Sequence, residues 1–439
     1  MDDCFENFAL NKRCSPEYAV TFGAWAGQTS NESLGNSVDS SGIAFQSWRR
    51  FKEAFSPRIV EKAISESELR VDTVFDPFCG SGTTPLAAQF LGAKGVAVEV
   101  NPYLADLAEA KLSTYNTLEV IKFKNLVRQV VDSKPHYFED LFQNAPRTFV
   151  EPGEEGRYIF NKAVARRICQ YRAAIEGIPN PEIKRLFRVL LGSTVIPVSN
   201  VIVSGKGRRY RQSWADRPND QVCVDKSFSF YVDRAILDIS RFQNRASLEF
   251  EIYRGDVREI GNCVGEYDLV VTSPPYPNSF DYTDVYNVEL WALGYLNSRE
   301  ENSALRNKTL RSHVQIKRDF SYPMIQSPLL LATLERLEAI KERLWNKHIP
   351  SMIAAYFEDM RIVLTDIKRS LRVGGRVYVI VGDSRYSGIN IPVAAILSEV
   401  ACSIGYKQIA QDQVRSMRAS PQQGGQTDLA ETLLILRSD

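Results

Sequence analysis

At 439 residues the chain is long enough for one large domain with insertions or for two to three ordinary domains, and 44% hydrophobic residues supply a sizeable core. Lys and Arg number 54 against 53 Asp and Glu, which excludes a polyanion binder that works by overall charge and turns attention to local basic clusters. Seven cysteines with no Cys-x-x-Cys pair, and only three histidines, exclude a structural zinc site, so a reduced, intracellular, cytoplasmic protein without metal is expected.

The N-terminus lacks the basic-then-apolar layout of a signal peptide. Residues 1–44, rich in Ser, Asn and Gly through QTSNESLGNSVDSSG, predict a flexible arm, followed by an amphipathic helix around SWRRFKEAFSPRIVEKAISES. VDTVFDPF (71–78) predicts a short strand, TPLAAQFLG a helix, KGVAVEV a second strand and PYLADLAEAKL another helix, a βαβα opening. From about 117 to 248 the pattern turns helical and basic. Within it VLLGSTVIPVSNVIVS (189–204) is interrupted by Gly192, Ser193, Pro197, Ser199 and Asn200, so a helix end and buried connection are expected and no membrane span. Strand alternation returns at LEFEIYRGD (248–256) and YDLVVTS (267–273), and 277–349 is helical and highly charged. GGRVYVIVGDS (374–384) predicts a buried strand, IPVAAILSEVACSIG a helix, and ETLLILRS (431–438) a strand that closes the sheet.

Two stretches carry chemistry. DPFCGSGTTPLAAQFLG (76–92) places Gly80 and Gly82 in the turn from strand to helix, where the backbone passes close to a ligand, with Thr83 or Thr84 to cap the helix. Pro85 stands where a dinucleotide fingerprint needs glycine, and no Gly-Lys-[Ser/Thr] of a P-loop is present. Glu99 ends the second strand, where an acid accepts both hydroxyls of a ribose. Asp256 occupies the analogous place on the third strand, as a ligand to a base edge or as a turn residue. The second stretch is VVTSPPY (270–276), in which an aliphatic run ends in two prolines that freeze the chain and leave carbonyls free.

DPFCGSGT followed in the same chain by TSPPY resembles the amino-group DNA methyltransferases that use S-adenosylmethionine, most closely those acting on the N4 amine of cytosine. The resemblance implies an α/β, class I (Rossmann-like) methyltransferase fold: a mostly parallel, doubly wound sheet with a C-terminal antiparallel strand, carrying helical insertions. It implies a catalytic core over 45–116, 249–276 and 350–439, a helical insertion for target recognition over 117–248, and a second helical insertion over 277–349. It implies that Asp76, Pro77, Phe78, Gly80, Gly82 and Thr83 shape the cofactor turn and that Glu99, with Val100 beside it, holds the ribose. Asp256 joins the cofactor set, and FKEAFSPRIVEKAI (51–64) resembles the segment that embraces the methionine end, which brings in Phe55 and Ser56. The cofactor turn precedes SPPY here, opposite to the order common among N4-cytosine enzymes, which leaves the chemistry intact.

An exocyclic amine is a poor nucleophile because its lone pair is delocalised into the ring, so acceptors must pull it toward a tetrahedral geometry. Ser273 Oγ and the Pro274 carbonyl suit that task, Pro275 holds them rigid, and Tyr276 offers a ring to stack on a flipped base. Carbon-5 methylation would need a Pro-Cys nucleophile, which the chain lacks. The alternatives on the same fold are N6-adenine methylation and, further off, methylation of a guanine amine in RNA. SGKGRRYRQSWADR (204–217) sets Lys206, Arg208, Arg209 and Arg211 among Tyr210 and Trp214, and a mobile DNA-contacting loop is expected there; 305–319 is a weaker candidate. DNA is the expected partner, with a separately acting cognate restriction endonuclease allowed by the resemblance; neither membrane nor metal is expected.

Overall fold

The computed structural model describes residues 16–27, 42–51, 53–133, 142, 144–204, 207–323, 327–418 and 428–439. Strand β1 (Thr73–Asp76) stops at Pro77, whose missing N–H ends the ladder. It pairs in parallel with β2 (Lys94–Glu99), the neighbour across helix Thr83–Phe90. A two-stranded hairpin, β3 (Val201–Ser204) and β4 (Gly207–Tyr210), precedes β5 (Phe250–Arg254), which pairs in parallel with β2. The chain then crosses back to β6 (Tyr267–Thr272) on the other side of β1, and β7 (Leu371–Gly382) adds beyond it, both in parallel. After a small hairpin, β8 (Ser384–Tyr386) and β9 (Ile389–Ile391), come β10 (Tyr406–Arg418) and β11 (Asp428–Ser438). β11 pairs antiparallel with both β7 and β10, giving the order β10-β11-β7-β6-β1-β2-β5. This is the Rossmann-like methyltransferase order expected from the motifs.

Alternation along the strands builds two cores, one on each face. Val74, Leu269, Val271, Tyr378 and Ile380 face one core, while Phe75, Val270, Val377 and Val379 face the other. Helices Ile349–Ser370 and Val393–Ser403 cover the second face. The first face is covered by helices Arg58–Glu66, Thr83–Phe90 and Pro102–Leu112.

The stretch 117–248 is helical as expected, with helices Thr117–Ser133, Lys162–Glu176, Pro181–Val198 and Gln221–Arg241, but its apolar side chains join the first core. Helix Pro181–Val198 packs on Pro102–Leu112 so closely that a Cβ at Gly192 would lie 2.4 Å from the Tyr103 ring. Only glycine fits there.

Five details differ from the expectation. Helix Thr83–Phe90 starts from Gly82 with no side-chain cap, so neither Thr83 nor Thr84 caps it, and Thr84 Oγ1 donates instead to the Val271 carbonyl at 3.0 Å. Within the arm expected over 1–44, Pro16–Ala26 is a helix whose Phe22 and Trp25 are buried, with Trp25 stacked on Phe90 at 4.4 Å. Of the helix expected around SWRRFKEAFSPRIVEKAISES, only Arg58–Glu66 is α-helical, because Pro57 blocks continuation from the preceding turn. Residues 207–210 are not a mobile loop but pair with 201–204. The strand that ends the chain order, β11, lies between β7 and β10 and leaves β10 at the edge.

Candidate active site

Reversal of strand order on either side of β1 opens a crevice at the carboxyl ends of β1 and β6, where ligands of such sheets bind. The glycine turn and SPPY leave those two adjacent ends. Thr272 Oγ1 donates to Asp76 Oδ1 at 2.7 Å and the Phe78 amide donates to the same oxygen at 3.0 Å, so Asp76 ties the two motifs together. Burial pushes the Asp76 carboxyl up to about 6, against those hydrogen bonds.

Gly80 and Gly82 adopt φ of 53° and 82°, the left-handed region that favours glycine. A Cβ at Gly82 would meet Ala108 Cβ at 2.9 Å, so the turn also presses on helix Pro102–Leu112. Glu99 accepts from the Gly80 amide at 2.7 Å and from the Asn101 amide at 2.8 Å. Burial outweighs those two bonds and raises its carboxyl to about 7. Lys111, a residue without a motif, donates to the Ser81 carbonyl at 2.6 Å and to Gln46 Oε1 at 3.0 Å; burial lowers its ammonium to about 7.

The turn and SPPY open into one cavity of about 330 Å³. Phe55, Pro77, Phe78, Gly80, Thr83, Glu99, Val100 and Asp256 line it at one end, and Ser273, Pro274, Pro275 and Tyr276 at the other. Asp76, Gly82 and Ser56 stand behind the wall: Ser56 is buried and its Oγ accepts from the Arg58 amide at 3.3 Å. Asp256 lines the cavity and is also a turn residue, capping Val257–Ile260 and pairing with Arg258 at 2.5 Å. Among the described residues, two buried donors on the lining, Ser81 Oγ and Asn101 Nδ2, have no hydrogen-bond partner. Glycines that let backbone approach, an acid at the strand end and unused donors suit a nucleoside bearing an amino acid, such as S-adenosylmethionine.

Beyond β6, Tyr276 Oη donates to Glu431 Oε1 at 2.9 Å and lies 3.4 Å from Ser273 Oγ. Burial, with the Glu431 charge, holds the Tyr276 phenol well above its ordinary range. Ser279 nearby has φ of 60°, a strained position for a residue with a side chain. Phe280, Tyr282, Thr283 and Tyr286 line the cavity from 277–349, joined by Lys308, Thr309, Leu310, Ser312 and His313. Phe51 stacks on Tyr286 at 5.8 Å and its ring would meet a Gly80 Cβ at 3.0 Å. Arg49 also lies over the Tyr286 ring, 5.7 Å from its centre, and pairs with buried Glu289 at 2.5 Å.

Strand β4 packs against Tyr282–Val285, which sets Arg208, Arg209 and Tyr210 beside the roof. Arg209 is exposed; Arg208 and Tyr210 are half-buried and line a second groove with Glu154, Glu155 and Arg157. Arg211 is committed elsewhere, donating to the carbonyls of Ser199 and Ile196 at 3.1 Å each, so the helix end absorbs it. Lys206 lies outside the described residues. Cys79 is buried on the cavity wall with its thiol pushed up by burial, as a packed residue would be. Among the described residues no cluster of His, Cys, Asp or Glu is placed to hold a metal ion, and no helix is long and apolar enough to cross a membrane.

A family model described as DNA methylase, of the N6/N4 type, matches residues 11–110. With the sheet order, this supports a class: the amino-group DNA methyltransferase family on a methyltransferase fold. Type II methyltransferase M.BsoBI of Geobacillus stearothermophilus is 25% identical over 433 residues, covering 87% of this chain and 82% of its own length. Type II methyltransferase M.AvaI of Nostoc sp. is 26% identical over 393 residues, covering 82% and 78%. Among solved structures, the rRNA methyltransferase aviRa from Streptomyces viridochromogenes aligns over 87% of this chain and 85% of its own at 12% identity with a TM-score of 0.27. The fold assignment rests on the strand order.

Proposed function

We propose that the chain is a site-specific DNA methyltransferase that moves a methyl group from S-adenosylmethionine to the N4 amine of cytosine, in a restriction-modification or epigenetic setting. The observation that carries this reading is the single cavity whose two ends are the Gly80–Gly82 turn with Glu99 and the Ser273-Pro274-Pro275-Tyr276 segment. S-adenosylmethionine bound at the first end supplies a methyl group on a sulfonium, electrophilic enough to need no covalent enzyme intermediate. Glu99 accepts the ribose hydroxyls, Asp256 a base edge, and Phe55 borders the methionine end. Ser273 Oγ and the Pro274 carbonyl accept from the target amine, drawing its lone pair out of conjugation. The two prolines hold these acceptors in place, so little ordering remains for the reaction step. Tyr276 stacks on a base swung out of the duplex, and the aromatic roof excludes water.

The core over 45–116, 249–276 and 350–439 performs this chemistry, and the two insertions grip DNA. Arg208 and Arg209 meet phosphates beside the cavity. Serine at 273, where N6-adenine enzymes of the resembled family carry Asp or Asn, favours cytosine. Expression in cells lacking other DNA methylation, digestion of their DNA and mass spectrometry of the nucleosides test the reading. N4-methylcytosine is expected; N6-methyladenine as sole product would overturn the base assignment, and unmodified DNA the activity itself.

A further inference from the structure

Glu431 is 3% exposed in its side chain, yet it lines the cavity at the SPPY end. A buried carboxylate needs partners, and among the described residues it has two. Tyr276 Oη donates to its Oε1 at 2.9 Å, and Arg415 grips it with Nε to Oε2 at 2.5 Å and Nη2 to Oε1 at 3.0 Å. Arg415 and Glu431 face each other across β10 and β11, where the register shifts between Gln413 and Arg415. Such a bulge re-aims side chains, and here Arg415 becomes part of the cavity wall. Its guanidinium therefore spends one edge on Glu431 and keeps Nη1, which makes no hydrogen bond among the described residues.

Ser273 Oγ, Tyr276 Oη, the Glu431 carboxylate and the Arg415 guanidinium thus follow one another along one wall, with successive gaps of 3.4, 2.9 and 3.0 Å. Acceptors stand at the Ser273 end and a cationic donor at the other. Cytosine presents an amine donor, a ring-nitrogen acceptor and a carbonyl acceptor in a row along its pairing edge. Adenine presents a donor, an acceptor and then a C–H. Only the first sequence ends in a group that a guanidinium can bind.

We propose that Arg415 is a specificity-determining residue that donates from Nη1 to the 2-oxo group of the flipped base, with Glu431 holding the guanidinium in orientation. The proposal rests on the cytosine-N4 reading and deepens it. It gives the pyrimidine a contact of its own, separate from the amine acceptors that cytosine and adenine would share. Removing one partner of a buried hydrogen bond to a charged group leaves the other unpaired, so the contact is worth about 10- to 100-fold in binding.

The test begins by mapping the modified site through sequencing of methylated DNA, then uses duplexes carrying at the target either cytosine or a 2-aminopyridine C-nucleoside. That analogue keeps the amine and ring nitrogen and lacks the carbonyl oxygen. The wild-type protein is expected to bind the cytosine duplex about 10- to 100-fold more tightly by fluorescence anisotropy. The double variant R415M/E431Q removes the charges together, leaving no buried carboxylate unpaired, and is expected to bind both duplexes alike. Equal binding of the two duplexes by the wild type overturns the proposal without any variant; so does a double variant that keeps the wild-type ratio. N6-methyladenine in the mapped DNA instead defeats the underlying reading.

Discussion

Glu99 carries two duties at one carboxylate. It braces the glycine turn through the Gly80 and Asn101 amides, and under the proposed function it also receives the ribose hydroxyls. Glu99→Gln is expected to weaken cofactor binding by about 1 to 3 kcal/mol in isothermal calorimetry; unchanged affinity would remove Glu99 from the site. The sign of the pH effect follows from its carboxyl being held near about 7 by burial. The ionised form is the better acceptor, so affinity rises as pH climbs through that value and levels off above it. Asp76 and Lys111 titrate close by, at about 6 and about 7, so the part of the pH dependence that disappears in Glu99→Gln is the part belonging to Glu99. At the other end, Ser273→Ala is expected to lower single-turnover methyl transfer by about 100-fold while DNA affinity changes little, because the lost acceptor matters most as the amine rehybridises. A variant with normal turnover and weak binding would make Ser273 a binding group only. Both motifs stand out in the sequence as DPFCGSGT and TSPPY, and the roles of their residues came with the resemblance those motifs carry. The Tyr276–Glu431–Arg415 chain was not, since its members stand 155 and 16 residues apart and belong to no common motif.

The hairpin β3–β4 shows how one basic stretch divides its labour. Arg211 and Arg217 donate to carbonyls at the end of helix Pro181–Val198, whose last carbonyls have no partner within the helix. Arg208 and Arg209 stand on the strand beside the cavity roof. Neutralising Arg208 and Arg209 together is expected to flatten the salt dependence of DNA binding by about two units of slope, read from affinities at several salt concentrations. An unchanged slope would exclude phosphate contact. Arg211→Ala is expected instead to cost about 1 to 3 kcal/mol of stability in urea denaturation. Composition marked 204–217 as basic and aromatic, but which arginine serves the fold depends on where a helix ends. That is a tertiary fact. Glycines at 205 and 207 suggested a loop, whereas Val201 to Tyr210 pair in register because Val201 is buried and Tyr210 leans on Trp214 at 5.1 Å.

Across the whole molecule, the strands that build the crevice were readable because each is a short apolar or alternating stretch that leads to Asp76, Glu99, Asp256 or Ser273. β10 was not, because YKQIAQDQVRSMR has neither an apolar run nor clean alternation, as befits an edge exposed to water. Helix Pro16–Ala26 escaped notice for a different reason. Its surroundings are polar, and its worth comes from Trp25 stacking on Phe90 and donating to the Ala44 carbonyl at 3.0 Å. Trp25→Ala is expected to cost about 3 to 5 kcal/mol in chemical denaturation, with the methylated nucleoside unchanged. A loss under 1 kcal/mol would make this helix an ornament on the core.

The sheet order also bears on how the protein is made. β11 is synthesised after both β7 and β10, yet it lies between them. Until it emerges, Val377–Val381 and the inner side of β10 carry backbone groups with nothing to pair with, open to other nascent chains on the same message. Glu431 arrives on that same strand, so the wall that would read the base is completed only when the insertion occurs. The sheet and this wall of the cavity are therefore completed together, when β11 enters between its two neighbours.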